Sequence, residues 1–265
     1  MKDKIYKWLN EQGYPLEFKV ANELRNNGFT VIQSEFFKDP DTAQNREIDV
    51  VAFKQFYTPK LLIRLTIVVE CKSGKKKPWI LFSSPDSVLS DADKVVQTPG
   101  TEIGKMLLRN SQIFSKYKDL EIFSTNERTS FGITECFTTG KDIPYSALTS
   151  VAKATAAFID KESAFKESNI CDIIFPFVVI EAPLFESYYD GELVIDKVES
   201  GTLAWRNRII DQQQSIIRVQ RFELFKRNLK SYGNDFDLIL DYIKEDMISR
   251  LNKLIAEKAK KIEIR

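Results

Sequence analysis

Residues 67–77 read IVVECKSGKKK, and this stretch decides how the chain folds. An apolar run suited to a buried strand ends in Glu70, Cys71 and Lys72, followed by a serine, a glycine and three lysines. Residues two apart in a strand share a face. Glu70 and Lys72 therefore point the same way as Thr66 and Val68, and Cys71 points the other way with Ile67 and Val69. A surface loop could hold these charges. A metal-dependent active site could equally require them there.

The neighbouring segments supply more carboxylates. REIDVVAF (46–53) reads as a second strand, with Asp49 on the face of Glu47, Val51 and Phe53. If the two strands pair, Asp49 and Glu70 meet at one end of a sheet. Upstream, PLEFKVANELRNN (15–27) reads as a helix that stops at Gly28. With Leu16 as origin, Val20 falls near ~40°, Leu24 near ~80° and Ala21 near ~140° on the helical wheel. Glu17 falls at ~100°, inside that apolar stripe, whereas Lys19, Asn22 and Asn26 lie opposite. A carboxylate on a buried face needs a partner or a metal, because isolated burial is costly. An ion pair, for instance with Lys72, is the structural alternative for Glu17.

A helix glutamate, a strand aspartate and an E-x-K at the end of the next strand resemble the PD-(D/E)xK nuclease superfamily. The matching residues are Glu17 in GYPLEFKVANEL, Asp49 in REIDVVAF and Glu70-Cys71-Lys72 in IVVECKSGK. Ile48 stands where the proline of the family signature would precede Asp49. The match covers residues 13–75 well and 146–181 loosely. It implies an α/β fold of restriction-endonuclease-like type, a mixed sheet flanked by helices. It also implies a Mg²⁺ or Mn²⁺ ion on Asp49, Glu70 and the Cys71 backbone carbonyl, with Glu17 completing the cluster. Glu17, Asp49, Glu70 and Lys72 would be the catalytic set, and Lys72 would orient or help deprotonate the attacking water and counter charge developing on the phosphorane.

The rest of the chain is read more coarsely. FTVIQSEFF and LLIRLTIVVECK are strands, RTSFGITECFT a further strand, and GKMLLRNSQIFSKY a helix. Much of residues 73–143 is expected to form an insertion or a long edge excursion. SALTSVAKATAAFIDKESAF (146–165) is an alanine-rich helix, and ICDIIFPFVVIE (170–181) a buried strand broken or bulged at Pro176. LFESYYDG and ELVIDKV form a hairpin, with GTLAWR returning. A nuclease-like domain over 1–205 and a helical C-terminal extension over 206–265 follow from this pattern.

Composition narrows the chemistry. The 265 residues contain no histidine, which excludes Ser-His-Asp and Cys-His schemes and histidine metal sites. Cys71, Cys136 and Cys171 are widely spaced, without a C-x-x-C pair, and read as structural. The formal net charge is +1, so any nucleic-acid signal has to be local. Lys75, Lys76 and Lys77 are candidates for phosphate contacts, against the simpler reading of a solvated basic turn. Trp79 and Phe82 fit core packing better than base stacking. No signal-like or membrane-spanning run is present, and a cytoplasmic protein is expected. The function expected is phosphodiester hydrolysis in nucleic acid, DNA above all, with a homodimer if both strands of a duplex are cut. The alternative is an inactive nuclease-fold subunit that binds nucleic acid or protein.

Overall fold

Gly13 has φ 95°, a left-handed conformation that stops one helix and starts the next. Helix α1 (Lys2–Gln12) precedes it and α2 (Tyr14–Asn26) follows, with Pro15 in the first turn, where no N–H is needed. The strands β1 (Thr30–Lys38), β2 (Asn45–Tyr57) and β3 (Leu62–Lys72) come next, as the apolar runs predict. Beyond them lie β4 (Trp79–Ser83), α3 (Asp91–Val96), α4 (Glu102–Leu108), a 3-10 turn at Glu121–Phe123, and β5 (Thr129–Glu135). The chain continues through α5 (Ile143–Ala164), β6 (Ile170–Ile180), β7 (Leu184–Asp190), β8 (Glu192–Val198), β9 (Ser200–Arg206), β10 (Gln214–Arg221) and α6 (Phe222–Glu263). This computed structural model describes all residues except 59–60, 75–76, 110–115, 117, 139, 141, 165–169, 207–213 and 264–265. For 160–164, 206, 214 and 247–263 it describes the backbone alone.

The described strands form one mixed sheet in the order β1-β2-β3-β6-β10-β9-β5-β4-β7-β8. β1, β2 and β3 are successive antiparallel neighbours, and β3 and β6 run parallel. Helices cover both faces. On one face α2 and α6 bury Leu16, Val20, Leu24, Phe225 and Phe236 against Val69, Cys71 and Phe177. On the other, α5 buries Ala147, Leu148, Val151 and Ala154 against Val68, Ile174 and Val178. The alternation read along β3 is thus realised, with Ile67, Val69 and Cys71 in one core and Val68 in the other. No described helix is long and apolar enough to cross a membrane.

Residues 73–143 contribute β4 and β5 to the same sheet, β5 falling on the expected strand RTSFGITECFT. Two expectations change. QSIIRVQR is not helical but the interior strand β10, and α6 begins only at Phe222. Pro176 neither breaks nor bulges β6, whose register with β3 runs unbroken from Ile170 to Ile180. The neighbouring even residues explain why. Ile174 donates its N–H to Pro99 and Asp172 accepts from Thr101, so these residues turn their polar groups away from β3. The missing N–H of Pro176 therefore faces that side too, one residue before the β10 ladder starts at Phe177. Of the helix expected at 104–117, α4 accounts for the start; 110–115 and 117 lie outside the described residues.

Candidate active site

β2 changes partners along its length. It stays on β1 from Asn45 to Phe53 but pairs with β3 only from Val50 onward. Meanwhile β3 continues beside β6 as far as Lys72. The sheet therefore splits between β2 and β3, and Asp49 sits at the fork. Its Oδ2 accepts the backbone N–H of Cys71 at 2.6 Å, in place of a ladder carbonyl.

Glu70 and Lys72 project together, as the alternation requires. Lys72 Nζ donates to Glu70 Oε1 at 2.5 Å, and Ser150 Oγ on α5 donates to Glu70 Oε2 at 2.9 Å. Glu70 is only 6% exposed, so this is not a solvated strand end. Glu17 sits in the first turn of α2, half-buried at the border of the apolar stripe rather than at its centre. Among the described residues it forms neither a hydrogen bond nor an ion pair, so a salt bridge to Lys72 is not made. Glu47 is exposed.

The electrostatics show a crowded site. Burial pushes the Asp49 carboxyl up to about 7; Glu70 adds to this, while the Cys71 N–H and Lys72 oppose it. Glu17 is likewise raised by burial, against the pull of Lys72 and with repulsion from Glu47 and Glu70. Burial depresses Lys72, but Glu70 and Asp49 outweigh it and hold the ammonium above its usual range. Three carboxylates thus share one cation. The Cys71 thiol, on the opposite face, is driven well up by burial and then by Asp49, which removes it as a nucleophile.

These residues suit a hard cation in kind. The oxygen donors left unengaged by side-chain bonds are the Glu17 carboxylate and Asp49 Oδ1. The Cys71 carbonyl shares the edge of its N–H, towards the fork. Both oxygens of Glu70 are taken by Lys72 and Ser150. Among the described residues, no three Asp, Glu, Cys or His side chains stand close enough to hold an ion by themselves.

A cleft of about 590 Å³ opens beside the site, lined by Leu16, Ser73 and Gly74 and by Lys7, Lys19 and Lys77. Each of these lysines faces a glutamate: Lys7 with Glu11 at 4.0 Å, Lys19 with Glu181 at 3.1 Å, Lys77 with Glu135 at 3.7 Å. Lys75 and Lys76 lie outside the described residues. Trp79 is buried in the core, which removes it from base stacking, and Phe82 is partly exposed. Cys71 and Cys171 are buried and free, Cys136 half-buried and free. Sequence reasoning missed Ser150. Its signal was a serine in helical register with the buried Ala147 and Ala154.

Comparison with known proteins finds no matching family model, no matching curated protein and no matching solved structure.

Proposed function

We propose that this chain is a metal-dependent nuclease of restriction-endonuclease-like fold, hydrolysing phosphodiester bonds in nucleic acid and most naturally in DNA. One observation carries the proposal. Asp49 and the Glu70–Lys72 pair converge where β2 leaves β3, and Asp49 is raised to about 7 by burial and by Glu70. The order α2, β1–β3, α5, β6 adds support, since it is the order on which the resemblance rests.

Asp49, Glu17 and the Cys71 carbonyl would hold Mg²⁺ or Mn²⁺, with Glu70 joining by releasing Ser150 or Lys72. The ion, when bound, supplies an acidified water and polarises a phosphate oxygen. Lys72 stays protonated beside Glu70, so its role is to orient the water and to offset negative charge developing on the phosphate. Glu70 positions Lys72, and Ser150 positions Glu70.

A second reading keeps the fold but not the cleavage: a subunit that binds nucleic acid or protein. Two observations favour it. Both Glu70 oxygens are already satisfied, and the cleft lysines are paired. Cleavage of plasmid and single-stranded DNA and of RNA, with Mg²⁺ or Mn²⁺, separates the two. The wild type is run beside Asp49→Ala and Lys72→Ala. Cleavage by the wild type but not by either variant is expected; equal activity in all three, or none in any, leaves the second reading.

A further inference from the structure

Helix α1 buries none of its residues, although it carries Ile5, Tyr6 and Trp8. Trp8 is 51% exposed. Across the Gly13 turn its ring meets that of Tyr14, with 5.8 Å between centroids and 41° between planes. Tyr14 is 39% exposed, and Phe18, one turn further along α2, is 57% exposed. Arg25 lies on the same side of α2, two turns beyond Phe18. It donates to Gln33 Oε1 at 2.9 Å, which sets this side of the helix towards β1. On α1, Lys4 stands one turn from Trp8. The row therefore runs cation, three rings, cation: Lys4, Trp8, Tyr14, Phe18 and Arg25.

Exposed rings in a contiguous line serve no core and mark a contact surface. Among the described residues neither end cation has a carboxylate partner. In this they differ from Lys7, Lys19 and Lys77 of the cleft, each of which faces a glutamate. The row also passes the candidate active site. Glu17 sits in the same turn of α2 as Tyr14 and Phe18, ~60° from Tyr14 on the helical wheel. From Tyr14 to Arg25 the row extends about 16 Å along the helix axis, the length of a few nucleotides. A second copy meeting it across a two-fold axis would set cation against cation, Lys4 against Arg25 or each against itself. Phosphates suit the ends of the row, and base faces suit its rings. In a duplex those faces are covered by neighbouring bases, so the rings are of use only to a single strand.

We propose that this row binds a single strand of nucleic acid, with bases against Trp8, Tyr14 and Phe18 and phosphates at Lys4 and Arg25, and leads it past Glu17 towards the β2–β3 fork. The inference rests on the proposed function in taking nucleic acid as the substrate. It adds the substrate class, a single strand rather than a duplex.

The test is equilibrium binding of the full-length protein to fluorescein-labelled thymidine and uridine oligomers and to a DNA duplex of the same length. EDTA is present, so that cleavage does not intrude. Anisotropy and tryptophan emission are read together. At least one single strand is expected to bind, about tenfold or more tighter than the duplex, and to quench tryptophan emission. The deoxy and ribo arms show which sugar is preferred. Trp8→Ala and Phe18→Ala should each weaken binding about tenfold. Trp8→Phe should keep the affinity and lose most of the quenching. Arg25→Gln should weaken binding and lower its salt dependence by about one phosphate contact. No single-strand binding, duplex binding as tight, or unchanged affinity in both alanine variants would overturn the inference. So would a dimer that Trp8→Ala turns into a monomer, because a second copy would then cover the row. Binding without cleavage once Mg²⁺ is restored removes the nuclease reading and leaves this one. Cleavage that is indifferent to the row does the reverse.

Discussion

The Asp49 carboxylate accepts the backbone N–H of Cys71 at 2.6 Å, and that bond marks where the β2–β3 ladder ends. A side chain has replaced a backbone carbonyl as the acceptor. The sheet can therefore open without leaving the Cys71 N–H unpaired. Asp49→Asn keeps an acceptor for that N–H and removes the charge that Glu70 repels. Its melting temperature is expected to match or exceed that of the wild type. On the proposed nuclease reading, metal-dependent cleavage falls by about a hundredfold or more, given what one electrostatic group at a reacting centre contributes. Parallel thermal melts and plasmid-cleavage assays check both halves; retained cleavage would remove Asp49 from the catalytic set.

Ser150 supports Glu70 from the other layer. Ser150→Ala leaves one oxygen of a buried carboxylate without its donor. Hydrogen bonds to charged groups contribute ~1.5–3 kcal/mol, so a loss of about 2 kcal/mol is expected in urea denaturation. A change below ~0.5 kcal/mol would mean that water replaces the hydroxyl at no cost.

A second buried carboxylate, Asp39, anchors the β1–β2 turn to α5. Lys153 donates to both of its oxygens at 3.1 Å, the Asp41 and Thr42 N–H groups donate to Oδ1, and Arg46 pairs with Oδ2. Burial alone would raise its pKa, but these partners outweigh it and bring the group down to about 2. A folded pKa below the unfolded one adds stability that is present above pH ~4 and lost as pH falls towards ~2. The amount is ~2 kcal/mol by linkage. Acid titration of unfolding free energy should show this loss in the wild type and not in Asp39→Asn, which starts lower at neutral pH.

Gly104, in α4, gives a packing test. A Cβ there would stand 2.4 Å from the backbone oxygen of Asp172, in a strand that cannot easily move. Helix propensity alone favours alanine by ~1 kcal/mol. Gly104→Ala is nevertheless expected to destabilise by about 2 kcal/mol, because overpacking against backbone outweighs propensity. Chemical denaturation reads the sign, and a more stable variant would contradict the close approach.

What was legible in the sequence was periodic. Strand alternation alone put Glu70 and Lys72 on one face and Cys71 on the other. The apolar runs located β1, β2, β3 and β6. The carboxylate partners depend instead on where β2 parts from β3, and no local pattern encodes that fork. Glu17 falls at the stripe's border because the wheel gives an angle, not the extent of the neighbour it meets. QSIIRVQR runs into α6 without a turn residue, which hides the strand within the expected helical extension. Its alternation of Arg218 and Gln220 with Ile217 and Val219 was the strand signal. Pro176 misled because a missing N–H matters only on the side where a partner strand needs it.

The position of β6 also governs the order in which the protein assembles. Its register with β3 joins residues such as Arg64 and Asp172, 108 positions apart, and its other edge waits for β10 near the end of the sheet-forming chain. Local hairpins such as β1–β2 and β7–β8 close cheaply, whereas these central ladders carry a large loop-closure entropy. During synthesis β3 has an unpaired, strongly apolar edge until more than a hundred further residues have emerged. Slow folding and chaperone dependence on expression are the expected outcome, with aggregation beginning at the middle of the sheet rather than at its rims.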